Sequence, residues 1–224
     1  MKRINGRFFI EEILHFFTHF EKTFFKTTWL LLIHPDKILS GYLEGQRKKF
    51  HSPIGFFIIW VSLQVFLFYW ITNHYHYEWT FIEKVDPESM QIRNLFNQYS
   101  ALFRLAIIPV AALIHYFFLS LKRFNYFEIL AAFLFLSSAF HFINIINALI
   151  LGVVFHINIK SWQIQLVEIN VLIAIYNLWF CYSFYKRRNI RYFWLRTIAS
   201  LVVIGIAVDR LSVFFPWIFI KITR

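Results

Sequence analysis

Apolar and polar positions along the chain separate into five long apolar stretches divided by polar loops, at about 54–72, 102–121, 129–154, 165–185 and 197–220. Each is close to the roughly twenty residues that a helix needs to cross a hydrocarbon core of about 30 Å. The pattern therefore predicts an all-α integral membrane bundle of five transmembrane helices over residues 53–224, preceded by an N-terminal amphipathic or re-entrant helical region and a basic pre-membrane segment over residues 1–52. Within residues 7–26, Phe9, Ile13, Phe16, Phe17, Phe20 and Phe24 recur at helical spacing, with Glu11, His15, Thr18, Lys22 and Lys26 on another face. Such a helix suits the headgroup plane, or else packs its phenylalanines against the other helices. Between the first two spans, Asp86-Pro87 reads as an N-cap followed by the first helical residue. Ile92, Leu95, Phe96 and Tyr99 then carry one apolar face into the second span.

Composition changes the picture from apolar helices to a bilayer as solvent. Hydrophobic residues make up 59% of the chain and aromatic residues 22%, with only 16% charged. A mean hydropathy of +0.56 leaves too little charge to cover a soluble domain of this size. The net charge of +11 is spread over helix ends instead of one soluble patch, and no nucleic-acid-binding module is present. Nine Lys/Arg lie in residues 1–52, two are Lys122-Arg123 and five fall in 186–196, sixteen in all. The opposite side receives six, namely Lys84, Arg93, Arg104, Lys160, Lys221 and Arg224, and Arg210 stays inside a span. The positive-inside rule then places the N-terminus in the cytoplasm and the C-terminus outside, in a multi-pass inner-membrane protein. Aromatic belts fit this threading: Tyr69, Trp70, Trp79, Trp162 and Trp217 outside, Tyr126, Tyr185 and Trp194 inside. No short apolar run ends at a small-residue cleavage site, so the N-terminus is expected to be retained. The single cysteine, Cys181, excludes an intramolecular disulfide and a cysteine-based zinc site, and reads as a small core hydrophobe.

The segment Leu31-Leu32-Ile33-His34-Pro35-Asp36-Lys37-Ile38, then Tyr42-Leu43-Glu44-Gly45-Gln46-Arg47-Lys48-Lys49-Phe50, then Pro53 and Phe56-Phe57, resembles the leading part of an uncharacterised bacterial family of polytopic inner-membrane proteins. The resemblance covers about residues 22–70 and rests on Tyr-x-x-Gly-x-Arg and the proline spacing. Members of that family often begin with a cysteine-rich zinc ribbon, which this chain lacks, and Phe50 stands where tyrosine is usual. The resemblance implies a membrane location and fold and no chemistry. Physically, Pro35 ends an apolar run and Gly45 permits a chain reversal. Arg47, Lys48 and Lys49 then precede Pro53, which suits the first turn of a helix. These three cations are candidate contacts for anionic lipid headgroups or a partner protein.

Candidate chemistry lies in polar residues within the spans, which in hydrocarbon face a bundle interior or a wet cavity. Arg104, Asn147, Glu168 and Asn170 fall in the outer part, and His141, Asn144, Asp209 and Arg210 near the midplane. Asn177, His115 and Glu128 follow inward. Ser137, His141 and Asn144 share one helix stripe that is expected to face the fifth span. Asp209 and Arg210 diverge by about 100° around their helix, so each needs a partner on another one. Fourteen Leu, Ile, Val or Phe residues in the fifth span supply about 4–8 kcal/mol of insertion energy, and a central Asp and Arg remove about 5–7. That helix is marginal alone. Two readings of the network stand: interhelical glue in a non-enzymatic scaffold or membrane-complex subunit, or a proton or solute path in a small transporter. His74, His76 and Glu78, or His15 with His19, lack the further ligands of a metal site. No H-E-x-x-H, G-x-S-x-G or phosphate-cradling loop occurs. No cofactor is expected. The expected partners are the bilayer and a membrane protein or a second copy of the chain.

Overall fold

The computed structural model describes residues 23–77, 99–119, 124–161, 170–185 and 191–223. Outside the described residues lie most of the 7–26 face with His15 and His19, the segment holding Glu78, Trp79 and Asp86-Pro87 through Phe96, Lys122-Arg123, and Trp162 with Glu168. The side chains of Arg47, Arg104 and Asn170 also lie outside the description.

Among the described residues the secondary structure is helical throughout. In chain order it consists of α1 (Thr23–Ile33), α2 (Pro35–Leu43), a single 3₁₀ turn (Arg47–Lys49) and α3 (Pro53–His74). Then follow α4 (Ser100–Leu119), α5 (Tyr126–Ala148) running on as a π-helical turn over Leu149–Val154, α6 (Asn170–Tyr185) and α7 (Phe193–Thr223). Among the described residues, three helices are long and apolar enough to cross a bilayer: Pro53–His74, Tyr126–Val154 and Phe193–Phe215. The expectation of five spans is not matched at the second and fourth stretches, whose apolar helices are shorter, Leu105–Leu119 and Val171–Tyr185. Residues 120–123 and 162–169, which adjoin these two helices, lie outside the described residues.

Local chemistry sets the boundaries. Pro35 has no N–H and disfavours helical geometry in the residue before it, so His34 leaves the helix at φ −139° and α2 restarts with proline in its first turn. Gly45 takes a φ of +91°, a left-handed conformation that glycine adopts without Cβ strain, and the chain turns there toward α3. Ser52 caps α3 by accepting the Gly55 N–H at 3.3 Å, with Pro53 at the first helical position. Asn125 and Glu128 form a reciprocal capping box at the start of α5, at 2.9 and 2.8 Å. Glu128 therefore serves a helix end. At the far end of α5 the backbone widens by one residue per turn, and Gly152 lets it approach Ile71. An added Cβ at Gly152 would lie 3.0 Å from the Ile71 Cγ2.

The broadest packing surface joins α3 to α5, while α4 lies between α5 and α7, and α2 rests on α6. The core is aromatic: Phe56, Phe57 and Phe135 are fully buried, and Phe56 and Tyr42 both meet Phe135, at 6.0 and 5.7 Å between ring centroids. The N-terminal segment belongs to this core. Leu31, Ile38 and Leu39 are no more than 1% exposed, and Phe24 stacks on Trp60 at 5.1 Å. Of the two settings open to residues 7–26, the described end thus takes the second, packing its phenylalanine against other helices. Lipid tails are as apolar as these side chains, so shape-matched aromatic packing and directed polar contacts hold such helices together.

Candidate functional site

His141 lies on the face of α5 turned to α3, 3% exposed. Its Nδ1–H donates to the Oε1 of Gln64 in the middle of α3, and the Phe57 ring closes over it at 5.4 Å. Because Oε1 only accepts, this bond selects the Nδ1–H form of the imidazole. Within the stripe of Ser137, His141 and Asn144, His141 thus meets α3, whereas α7 packs on α4. The reason is that α3 offers Gln64 at the matching depth.

Asn144, one turn beyond, is 7% exposed. Its Oδ1 has no hydrogen-bond partner among the described residues, and the same holds for Asn147 Nδ2, Asn177 Oδ1 and Trp60 Nε1. A buried polar atom left in this way costs about 1–3 kcal/mol. These groups sit on α3, α5 and α6, so they are distributed through the bundle. Asp209 and Arg210 lie elsewhere, both on the exposed outer face of α7. The structure therefore does not bring His141 and Asp209 together. Glu168 falls outside the described residues, and of Asn170 only the backbone, at the start of α6, is described.

Other polar contacts join further helix pairs. The His115 Nδ1 and Ser200 Oγ are 3.0 Å apart, linking α4 to α7. The Tyr126 hydroxyl donates to the Pro109 carbonyl at 3.1 Å, linking α5 to α4. Tyr176 on α6 donates to the Leu31 carbonyl of α1 at 2.8 Å. That carbonyl is available because its helical donor would be the N–H of residue 35, which proline lacks. Ser183 on α6 adds a bond to Asp36 of α2 at 3.4 Å. The Thr27 hydroxyl of α1 accepts the His51 N–H at 3.0 Å, tying α1 to the approach to α3. Gln64, Ser200 and Tyr176 are absent from the sequence-based candidates. The available signal for the first was an amide inside an apolar run; for the other two, a hydroxyl gives no sign of its partner.

In the basic turn before α3, Lys48 and Lys49 are exposed, with Lys49 Nζ donating to Gln46 Oε1 at 3.1 Å and Lys26 Nζ 5.9 Å from the Phe50 ring centroid. At the opposite end of α3, Tyr77 donates to the Gly152 carbonyl at 2.8 Å and Lys160 donates to the Tyr77 carbonyl at 3.0 Å. Burial pushes the Tyr77 phenol above its ordinary pKa, with nearby Tyr75 adding to the shift. His74 stacks on Trp70 and His156 lies against Tyr75. No group of three or more metal-ligating side chains occurs among the described residues.

Residues 21–65 match the model of a family described as a protein of unknown function, DUF3667. The matched stretch contains α1, α2, the Arg47–Lys49 turn and α3 as far as Val65, and begins within a residue of the start of the resemblance at 22–70. No curated protein and no solved structure matches the chain.

Proposed function

We propose that the chain is a five-span inner-membrane protein with a cytoplasmic N-terminus, acting as a non-enzymatic scaffold or subunit of a membrane complex. One observation carries the structural role: its buried polar side chains join helices in separate pairs, α3 to α5, α4 to α7, α5 to α4 and α6 to α1. Dispersed bonds of this kind, worth about 0.6–1.7 kcal/mol each, specify packing. A relay needs titratable groups in sequence, and His141 and Asp209 are on surfaces that do not meet. Arg47, Lys48 and Lys49 stand beside the start of α3, where anionic headgroups would lie. Five spans follow if the helices at 102–121 and 165–185 complete their crossing beyond the described turns.

A second reading, a small transporter, draws on the four buried polar atoms of Trp60, Asn144, Asn147 and Asn177, which water or a polar solute would satisfy. Two measurements test the proposal. A periplasm-active reporter should work after Arg224 and be silent after Arg188; the reverse pattern overturns the threading. The purified protein in liposomes should carry no proton flux under an imposed pH gradient; flux abolished by Asn144→Leu would favour the transporter.

A further inference from the structure

The helix α1 (Thr23–Ile33) has two faces. Phe24, Thr27, Thr28 and Leu31 are buried in the bundle, whereas Phe25, Trp29 and Ile33, one turn apart, are 65%, 65% and 40% exposed. The depth of this outward stripe is set by α3. Phe24 meets Phe56 and Trp60 at 5.3 and 5.1 Å between ring centroids, one and two turns into that helix, and the Thr27 hydroxyl accepts the His51 N–H just ahead of it. At 1.5 Å per residue, α1 thus lies beside about the first 10 Å of α3. Interfacial helices bury an apolar face to this depth below the headgroups. Cations border the stripe. Lys26 follows Trp29 by about 60° around the axis, with its Nζ 5.9 Å from the Phe50 ring centroid. Lys48 and Lys49 are exposed in the turn that leads through Phe50 to α3.

We propose that this face binds an anionic phospholipid of the cytoplasmic leaflet, with its phosphate at Lys26, Lys48 and Lys49 and an acyl chain along Phe25, Trp29 and Ile33. The inference rests on the proposed threading, in which α3 is a span entered from the cytoplasm. Lipid is then the surrounding molecule at the depth of α1. The order of the surface, cations beside the entrance of α3 and rings beside its first turns, repeats the order of a phospholipid, charge first and hydrocarbon after. An indole suits that boundary because its apolar body and its N–H prefer different sides of it. Each lysine near the surface favours lipid of net negative charge over a zwitterion, whose own cation competes for the phosphate. A second copy of the chain would bring the same three lysines against these and repel them. A soluble protein would have to pass the headgroups to reach Trp29.

The test uses the full chain in phosphatidylcholine vesicles, into which phosphatidylcholine or phosphatidylglycerol with brominated acyl chains is titrated. The share of fluorescence quenching due to Trp29 is the difference between the wild type and Trp29→Phe. Brominated phosphatidylglycerol should quench Trp29 at a mole fraction about tenfold lower than brominated phosphatidylcholine. Lys26→Gln should reduce that preference about fivefold, the effect of one lysine near the surface. Lys26→Gln with Lys48→Gln and Lys49→Gln should abolish it, while quenching by both lipids persists because the apolar stripe remains. Equal quenching of the wild type by the two lipids, or a preference that survives the triple substitution, would overturn the site. Trp29 unquenched by either lipid would also overturn it, and is the result expected if a second copy or another protein covers the face. The reporters after Arg224 and Arg188 keep the two readings apart. Their reversal with quenching as stated would overturn the threading and move the anionic-lipid site to the other leaflet, whereas the stated reporter pattern without a lipid preference would overturn the site alone.

Discussion

The helix α5 and the helix α7 are equally apolar in sequence yet are enclosed by the protein to very different degrees. Of the most apolar window of α5 and its π turn, 61% is buried within the protein, against 33% for α3 and 6% for α7. α5 is the centre of the bundle and touches α3, α4 and α6, while α7 leans on α4 alone among the broad contacts. Polar residues divide accordingly. On α5 His141 points inward to Gln64, and Asn144 is buried beside it along the helix. On α7 the charged pair points outward. Hydropathy measures transfer out of water, and a neighbouring helix and a lipid tail satisfy it equally well.

The contrast breaks first at Phe135. Phe135→Ala empties a site that is 0% exposed between Phe56 and Tyr42, and should cost about 3–5 kcal/mol. Phe214→Ala, at a position 48% exposed on α7, should stay within about 0.5 kcal/mol. Thermal unfolding in mild detergent measures both, and similar losses would mean that the two helices are equally enclosed.

A smaller effect is expected at the α3–α5 seam. Gln64→Leu removes the acceptor of the buried His141 Nδ1–H and should cost about 1–3 kcal/mol, whereas Gln64→Leu with His141→Leu should recover part of it. Additive losses in unfolding experiments would show that the contact contributes nothing of its own.

The smallest change sharpens the account of the N-terminal segment. Tyr176→Phe should cost about 1 kcal/mol by depriving the Leu31 carbonyl of its donor. In a Pro35→Ala background the loss should shrink, because residue 35 regains the N–H that Leu31 accepts in a continuous helix. An undiminished loss would place the role of the Tyr176 hydroxyl elsewhere.

What could be read along the chain was whatever depends on neighbours in sequence. The apolar stretches locate α3 and α5 to within a few residues. Pro35, Gly45 and Pro53 mark the breaks around α2 and the entrance to α3, because proline and glycine act on their own backbone. The capping box of α5 was legible in the same way, although Glu128 was counted among the polar groups of the spans. Side-chain direction needs the partner helix. The stripe through His141 was recognisable as a stripe, but its orientation toward α3 depended on Gln64, 77 positions away. The burial of Leu31 and Ile38 depended likewise on tertiary packing, in which α2 rests on α6 and Tyr176 of α6 reaches the Leu31 carbonyl. Periodicity along one helix defines a face and its chemistry, and only the packed bundle decides whether that face meets protein, lipid or a second charge.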